Sequence, residues 1–199
     1  MNTELIVGII LALGAAYLFT KTKKKKSAAR GGGEVPDSGW RIGPFDQSRN
    51  MPSSPTIEGD GWYVDFPAAP GSLNYVQWFS PPKLGESLTL RYRVGGGPVT
   101  AQEYPEAGTV SLIIQRKGDN WRSAGYRWWA GMFPLTPGEH SVTVPLTVEH
   151  WGDMLGTPDA EAFAATLRDT WNIGVAFGSP GAPTHGVYGS GRFTLRSLG

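Results

Sequence analysis

The stretch LTLRYRV, residues 88–94, alternates apolar and polar side chains along its whole length. Successive side chains of an extended strand point to opposite faces, so this alternation is typical of a strand with one buried face. The inward side chains are predicted to be Leu88, Leu90, Tyr92 and Val94. Arg91 and Arg93 are predicted to point away from the core.

Seven further segments show strand-like patterns, and glycine- or proline-containing turns separate most of them. They span residues 62–66, 75–79, 110–115, 125–130, 142–144, 172–177 and 193–195. One short helix is predicted over residues 158–168, with Thr157 as its N-cap and Pro158 at its first position. About eight strands and one short helix predict a mainly-β domain, a jelly-roll β-sandwich over residues 40–199.

The segment before this domain predicts a membrane anchor. Residues 5–19 read LIVGIILALGAAYLF and carry no charge, close to the length that crosses a bilayer. A cleaved signal peptide is the alternative, but its positive charges would precede the apolar run, whereas here they follow it. The predicted membrane-contacting residues are Leu5, Ile6, Ile9, Leu13, Phe19, Lys21, Lys23 and Lys24. Residues 1–26 thus form a single transmembrane helix with its lysine cluster, and residues 27–39 a flexible linker.

The net charge also differs between the N-terminal segment and the domain. Residues 1–30 hold six basic residues and one acidic residue, a net +5, whereas residues 31–199 hold 12 basic and 16 acidic residues, a net −4. A mildly acidic domain lacks the basic footprint of a nucleic-acid-binding protein, so we expect no nucleic-acid partner. Lysines beside a span favour the cytoplasmic side, which predicts the domain on the cytoplasmic face or on a virion membrane. The absence of cysteine agrees with a reducing compartment.

The sequence carries no recognisable catalytic motif, neither a nucleophile elbow nor a phosphate loop nor a zinc helix. The three histidines are scattered along the chain, and ordinary turn residues are the preferred interpretation of the aspartates. The side chains considered for metal binding or acid–base catalysis are His140, His150, His185, Asp60, Asp65, Asp119 and Asp153. We therefore expect no enzyme activity, no metal and no cofactor.

The alternation of side chains also predicts a binding face. The predicted ligand-binding residues are Arg91, Arg93, Gln115, Arg127, Trp129 and Arg192. Guanidinium groups bind carboxylate or phosphate through two parallel hydrogen bonds, and an indole can stack on the apolar face of a sugar. Trp121 and Trp151 lie in turn-like contexts and are further candidates for exposed aromatics. The competing interpretation is that the arginines pair with the 16 carboxylates of the domain and bind nothing.

The C-terminal segment, residues 171–198, reads WNIGVAFGSPGAPTHGVYGSGRFTLRSL and contains an IGxxF…GxGxFxL pattern. It resembles the last two strands of galactose-binding-like jelly rolls, a group that includes carbohydrate-binding modules, and residues 61–94 are similar to the opening of such modules. The resemblance implies a jelly-roll fold and a sugar-binding activity.

Three functional classes follow from these observations. We favour a non-enzymatic, single-pass membrane protein with a structural role that docks on other protein chains, such as capsid or envelope components of a virus with a lipid membrane. In that case the chain is a minor membrane-associated virion protein. The first alternative is a membrane-tethered carbohydrate-binding module whose partner is a glycan. The second is a hydrolase whose carboxylates meet only in the folded domain.

Overall fold

The structure is a computed structural model that describes residues 39–43, 48–103, 106–180 and 182–199. The predicted transmembrane helix, the lysine cluster and all of the linker except residue 39 lie outside the described residues. Within the described ranges, no helix is both long enough and apolar enough to span a membrane.

Thirteen strands, one α-helix and one 3-10 turn make up the described part of the chain. The strands are β1 (Trp40–Ile42), β2 (Thr56–Glu58), β3 (Gly61–Asp65), β4 (Tyr75–Phe79), β5 (Ser87–Gly95), β6 (Val99–Ala101), β7 (Thr109–Arg116), β8 (Arg127–Pro134), β9 (Gly138–Pro145), β10 (Gly152–Asp153), β11 (Thr170–Gly178), β12 (Val187–Gly189) and β13 (Arg192–Leu198). The helix is α1 (Ala160–Arg168), and the 3-10 turn is Val148–His150.

The strands form two antiparallel sheets that enclose one core. The large sheet has six strands in the order β1-β4-β11-β7-β8-β10, and the small sheet has five in the order β2-β3-β13-β5-β9. A separate ribbon pairs β12 with β6. The mainly-β sandwich prediction is confirmed, and each of the eight predicted segments contains a strand. The count of eight is too low, because the five additional strands have only two or three residues, too few to show a period.

The helix begins later than predicted and has a different cap. Asp159, not Thr157, is the N-cap, because its carboxylate accepts a hydrogen bond from the Ala162 backbone N–H at 2.7 Å. Phe163 anchors the helix to the sandwich, with its ring centroid 4.9 Å from that of Trp128 and 5.8 Å from that of Trp151. The N-cap prediction is therefore wrong by two residues, because Asp159 has both the extended backbone and the side-chain hydrogen bond of an N-cap.

Aromatic side chains from both sheets meet at the centre of the core. Phe193 of β13 has its ring centroid 5.5 Å from Trp62, 5.2 Å from Tyr92 and 5.2 Å from Phe177, and all four side chains are fully buried. The strand 88–94 contributes its predicted inward side chains, each at most 1 % exposed. Edge-to-face and tilted contacts of this kind add to the free energy gained from burial alone.

Two glycines come into close contact where β5 ends and β13 begins, in the centre of the small sheet. A Cβ on Gly96, whose φ is +99°, would lie 2.5 Å from the Cα of Gly191. Only glycine adopts that backbone conformation without cost and leaves room for such an approach. The glycine-rich turn after β5 therefore lets the chain pass directly beside the start of β13.

Strand β7 is buried on both faces, whereas the alternation of its side chains indicates burial on one face only. Seven of its eight residues are buried, including Ser111, Ile113 and Gln115 on the face that points away from the main core. These side chains are covered because Ile113 and its neighbours form a second small cluster beneath Trp121, Trp129 and Met154. The large sheet is thus covered on both faces along β7.

Candidate functional site

The six predicted ligand-binding residues divide between the outer faces of the two sheets. Arg91 and Arg93 belong to β5 and Arg192 to β13, in the small sheet. Gln115 belongs to β7, and Arg127 and Trp129 to β8, in the large sheet. Because the two sheets pack through their inner faces, their outer faces lie on opposite sides of the sandwich. The structure therefore does not bring the six residues to one face.

The outer face of the small sheet carries a group of four exposed guanidinium groups. We call it the Arg face and define it by Arg91, Arg93, Arg192 and Arg196. Arg93 lies opposite Thr194 and Arg91 lies opposite Ser197 in the register of β5 and β13, so the four arginines lie on two adjacent strands. The side chains of Arg93, Arg192 and Arg196 are 56 %, 44 % and 46 % exposed.

Nearby carboxylates neutralise only part of the positive charge of these four arginines. Glu139 of β9 is shared, with one oxygen 3.8 Å from Arg93 Nε and 3.5 Å from Arg196 Nη2. No described residue forms an ion pair with Arg91. Exposed ion pairs at these distances are weak. The Arg face therefore keeps unused hydrogen-bond donors that point into solvent.

Arg192 is held by a carboxylate and by an aromatic ring. Its Nε donates to Asp65 Oδ1 at 2.7 Å, and its Nη2 donates to Asp65 Oδ2 at 3.1 Å. The guanidinium carbon also lies 3.7 Å from the centre of the Tyr63 ring. The hydrogen bonds to Asp65 raise the pKa of Arg192. This pair fixes one end of the Arg face in place.

The large sheet presents a different outer surface, in which Arg127 is buried. Its Nε and Nη2 both donate to Asp119 Oδ2, at 3.0 and 2.7 Å, and the two side chains are at most 6 % exposed. The other Asp119 oxygen accepts the Trp121 backbone N–H at 2.8 Å. The carboxylate thus holds the loop after β7 against the sheet.

Three buried amides continue this polar network across the large sheet. Gln77 Nε2 donates to Gln115 Oε1 at 2.9 Å and to Asn172 Oδ1 at 3.0 Å. Asn172 Nδ2 donates to Gln115 Oε1 at 2.7 Å, and Gln115 Nε2 donates to Asp119 Oδ2 at 2.6 Å. Because these amides satisfy one another, they fix the sheet rather than reach into solvent.

The alternation predicts that Gln115 and Arg127 are exposed to solvent, and this prediction is wrong. Both residues face away from the main core as expected, but the loop after β7 lies over them. Trp121 takes part in this cover, with φ of +66°, an uncommon conformation for a bulky residue. Trp129 is half-buried, and a Cβ on Gly152 would lie 2.9 Å from its indole nitrogen. Strand alternation reports side-chain direction but not whether a neighbouring loop folds back over the side chain.

An exposed aromatic that alternation did not single out lies beside this network. Trp171 is 42 % exposed, and its ring contacts the Phe79 ring edge-on at a centroid distance of 5.1 Å. It occupies the irregularity in the register of β11 with β7, between Thr170 and Asn172. Trp151, a predicted exposed aromatic, is instead buried at 2 % exposure. A bulge carries no clear pattern in the sequence, so Trp171 could not be identified from it.

Three of the four aspartates considered for catalysis have structural partners in the described part of the chain, and Asp60 is the exception. Asp65 holds Arg192, Asp119 holds Arg127, and Asp153 accepts the backbone N–H groups of Gly125 and Leu155. Across residues 39–43, 48–103, 106–180 and 182–199, no three His, Asp or Glu side chains come together as a metal site.

Three surface clefts are lined wholly by described residues, with volumes of about 700, 510 and 290 Å³. The largest lies between residues 81–85 and the end of α1. None of the six predicted ligand-binding residues lines any of these three clefts. Arg196 lines none of them either, so the Arg face lies outside these three clefts.

The class that these observations define is a mainly-β protein with two packed antiparallel sheets. Comparison with protein-family models, with curated proteins and with solved structures finds no match to this chain.

Proposed function

We propose that this chain is a non-enzymatic, single-pass membrane protein whose β-sandwich docks on acidic surfaces of other protein chains through the Arg face. The observation that carries the proposal is the excess of exposed guanidinium groups. Four arginines share two carboxylates, those of Asp65 and Glu139, and Arg91 has no ion-pair partner among the described residues.

The chemistry of arginine supports protein docking on such a surface. Each guanidinium presents five N–H donors in a planar fork that matches a carboxylate, and it is more weakly hydrated than an ammonium group. The loose contacts of Glu139 to Arg93 and Arg196 exchange readily for contacts to a partner. A sheet face that lies outside the three clefts suits a broad protein surface better than a small molecule, which prefers a concave site.

The proposed membrane anchor adds a geometric constraint to the docking. The proposed linker over residues 27–39 has 13 residues, and a flexible chain of that length would span about 20 Å on average. The domain would therefore work close to the membrane that holds the anchor. A minor virion protein that links a lipid membrane to capsid or envelope proteins is one such arrangement, and it remains part of the proposal.

The order of the eight longer strands supports a finer classification as a jelly roll. In chain order they are β3, β4, β5, β7, β8, β9, β11 and β13. Numbered one to eight, they appear as 1-8-3-6 in the small sheet and 2-7-4-5 in the large sheet. We propose that the domain is a jelly roll of two interleaved Greek keys, similar to galactose-binding-like modules.

Site-specific photo-cross-linking in the cells that make the full chain tests the docking proposal. A photoreactive residue replaces Thr89, which lies on the same strand and face as Arg91 and Arg93. We expect a cross-link to an acidic protein that weakens with added salt. Arg91→Gln combined with Arg93→Gln should reduce the cross-link at least about tenfold, a loss of about 1.4 kcal/mol.

Arg122→Gln is the matched control, because Arg122 is exposed but lies in the loop after β7, away from the Arg face. It should leave the cross-link unchanged. The proposal fails if no protein is captured from position 89, or if the double variant and the control behave alike.

Glycan binding is the second candidate, favoured by the exposure of Trp171 beside Phe79. A partly exposed indole, such as that of Trp171 at the start of β11, is suited to stack on a sugar ring. Affinity gels with immobilised polysaccharides test this candidate on the full chain in mild detergent. Trp171→Ala should abolish retention and Trp129→Ala should weaken it, whereas equal mobility of all three proteins on every polysaccharide rejects glycan binding.

A further inference from the structure

Strand β9 forms an edge of the small sheet, and no described residue pairs with its outer side. The other edges of the two main sheets are the short strands β1, β2 and β10, of three, three and two residues. β9 has eight residues, contains no lysine and no internal proline, and pairs with β5 without a bulge. Proteins commonly blunt their sheet edges with such features, so a long regular edge without them is a place for another strand to pair.

The backbone groups that β9 leaves unpaired can be assigned from the hydrogen bonds around it. Leu146 N–H donates to Glu86 O at 2.8 Å, and an antiparallel ladder alternates between residues that face the partner strand and residues that face away. Thr89, opposite Thr143, exchanges both of its backbone hydrogen bonds with Gly199 on the far side of β5. It follows that Glu139, Ser141 and Thr143 direct their N–H and C=O groups outward.

We propose that two copies of this chain pair along β9, antiparallel, about a two-fold axis at Ser141. In this register Ser141 faces Ser141 of the second copy, and Glu139 of each copy faces Thr143 of the other. Each of the three facing pairs exchanges two backbone hydrogen bonds, so six form, and every outward N–H and C=O of these residues has a partner.

The side chains of β9 agree with self-pairing. Glu139 is its only acidic residue, and the register places it opposite a threonine rather than a second glutamate. On the inner face, His140 of each copy lies opposite Val142 of the other. The strand therefore avoids facing like charges and combines small polar and β-branched side chains, which pair well across strands.

Pairing along β9 would join two small sheets into one continuous ten-stranded sheet. A two-fold axis perpendicular to this sheet keeps both outer faces on the same side, so two Arg faces would lie side by side. The edge pairing does not depend on the Arg face, because Arg91→Gln alters neither the backbone of β9 nor its side chains. The proposed dimer and the proposed docking function can therefore fail separately.

Spin labelling of the full chain in mild detergent tests the dimer directly. The chain has no cysteine, so Ser141→Cys accepts a single label. Facing residues of an antiparallel pair have their Cβ atoms about 5 Å apart, which gives strong dipolar broadening of the spectrum. Thr56→Cys on β2, at the opposite edge of the sheet, is the control and should show none. A spectrum without broadening at position 141, or equal broadening at both positions, overturns the proposal.

A proline variant provides the second test. Ser141→Pro removes an outward N–H and leaves the hydrogen bonds to β5 intact, as is tolerated on an edge strand. It should raise the dimer dissociation constant at least about tenfold by light scattering, since two central hydrogen bonds are lost. Ser141→Ala keeps the backbone and should remain dimeric.

Near-ultraviolet circular dichroism shows whether Ser141→Pro folds. A folded Ser141→Pro chain with unchanged dimer affinity contradicts the proposal. If the variant does not fold, the label at position 141 decides alone.

Discussion

The Arg127 guanidinium lies 3.7 Å from the centre of the Trp121 ring, while the same group donates two hydrogen bonds to Asp119. Trp121 also contacts Tyr75 edge-on, at a centroid distance of 5.7 Å. One loop thus contributes both the carboxylate that neutralises Arg127 and the ring that covers it. This arrangement explains how a charged residue is buried on the outer face of a sheet.

Asp119→Asn should strongly destabilise the domain, because it leaves the Arg127 charge buried without a compensating carboxylate. We expect a loss of about 3 kcal/mol in the free energy of unfolding, measured by urea denaturation and tryptophan fluorescence. Asp65→Asn removes the exposed partner of Arg192 and should cost less than about 1 kcal/mol. Equal losses for the two variants would contradict a buried ion pair at Asp119.

Alkaline pH should destabilise the domain through Tyr92. Burial raises the pKa of Tyr92 above its ordinary value of 10.0, and its hydroxyl donates to Pro134 O at 2.9 Å. Below pH 10 the phenol is protonated in the folded and unfolded chains alike, so its contribution to stability is fully present. Above that pH the unfolded chain ionises first, and stability is lost as the pH rises.

Tyr92→Phe tests this assignment in urea titrations between about pH 8 and pH 11. The variant should be less stable by about 1 kcal/mol at the lower pH, because the Pro134 hydrogen bond is lost. It should then lose less stability than the parent chain as the pH rises. Some alkaline sensitivity will remain, since burial also raises the pKa of Tyr75. Identical slopes for the two proteins would refute the role of Tyr92.

Phe193→Ala should be among the most damaging substitutions in the core. Its ring contacts three fully buried aromatic rings from both sheets, so truncation opens a cavity that they cannot fill. We expect a loss of about 4 kcal/mol in thermal or urea unfolding. Leu155→Ala removes a side chain that is 49 % exposed and should cost under about 1 kcal/mol. The packing account is wrong if the two losses are similar.

The N-cap of α1 can be located by paired substitutions. Asp159→Ala should cost about 1 kcal/mol of domain stability, because the Ala162 N–H loses its acceptor. Thr157→Ala should change the stability by only a few tenths of a kcal/mol, since Thr157 makes no capping hydrogen bond. If Thr157→Ala costs more stability than Asp159→Ala, then Thr157 and not Asp159 is the N-cap.

Strand alternation predicted the small sheet better than the large one. In β5 the burial alternates as the sequence does, with Leu90 inward and Arg91 outward, because only one face is covered. In β7 the outward residues Ile113 and Gln115 are buried as well, because the loop directly after β7 folds back over them. The periodicity of the sequence therefore located both strands but predicted the burial pattern correctly only for β5.

The candidate site was predictable in part. Arg91, Arg93 and Arg192 are exposed on the outer face of the small sheet, as alternation indicates. Arg196 completes the group, and it lies at the irregularity in the register of β13 with β5, between Leu195 and Ser197. The separation of these arginines from Arg127 and Trp129 was not predictable, since strand order between sheets depends on pairings between residues far apart in the sequence.

The sequence by itself determined the strand segments, the inward side chains of the core and the charge division between the N-terminal segment and the domain, because these depend on local periodicity and composition. Tertiary structure alone decided which strands share a sheet, which outward residues a loop covers, and which edge is left open. Those outcomes depend on long-range pairing. Asp119 shows the difference, since an ordinary turn aspartate in the sequence becomes the buried partner of Arg127 once the chain folds.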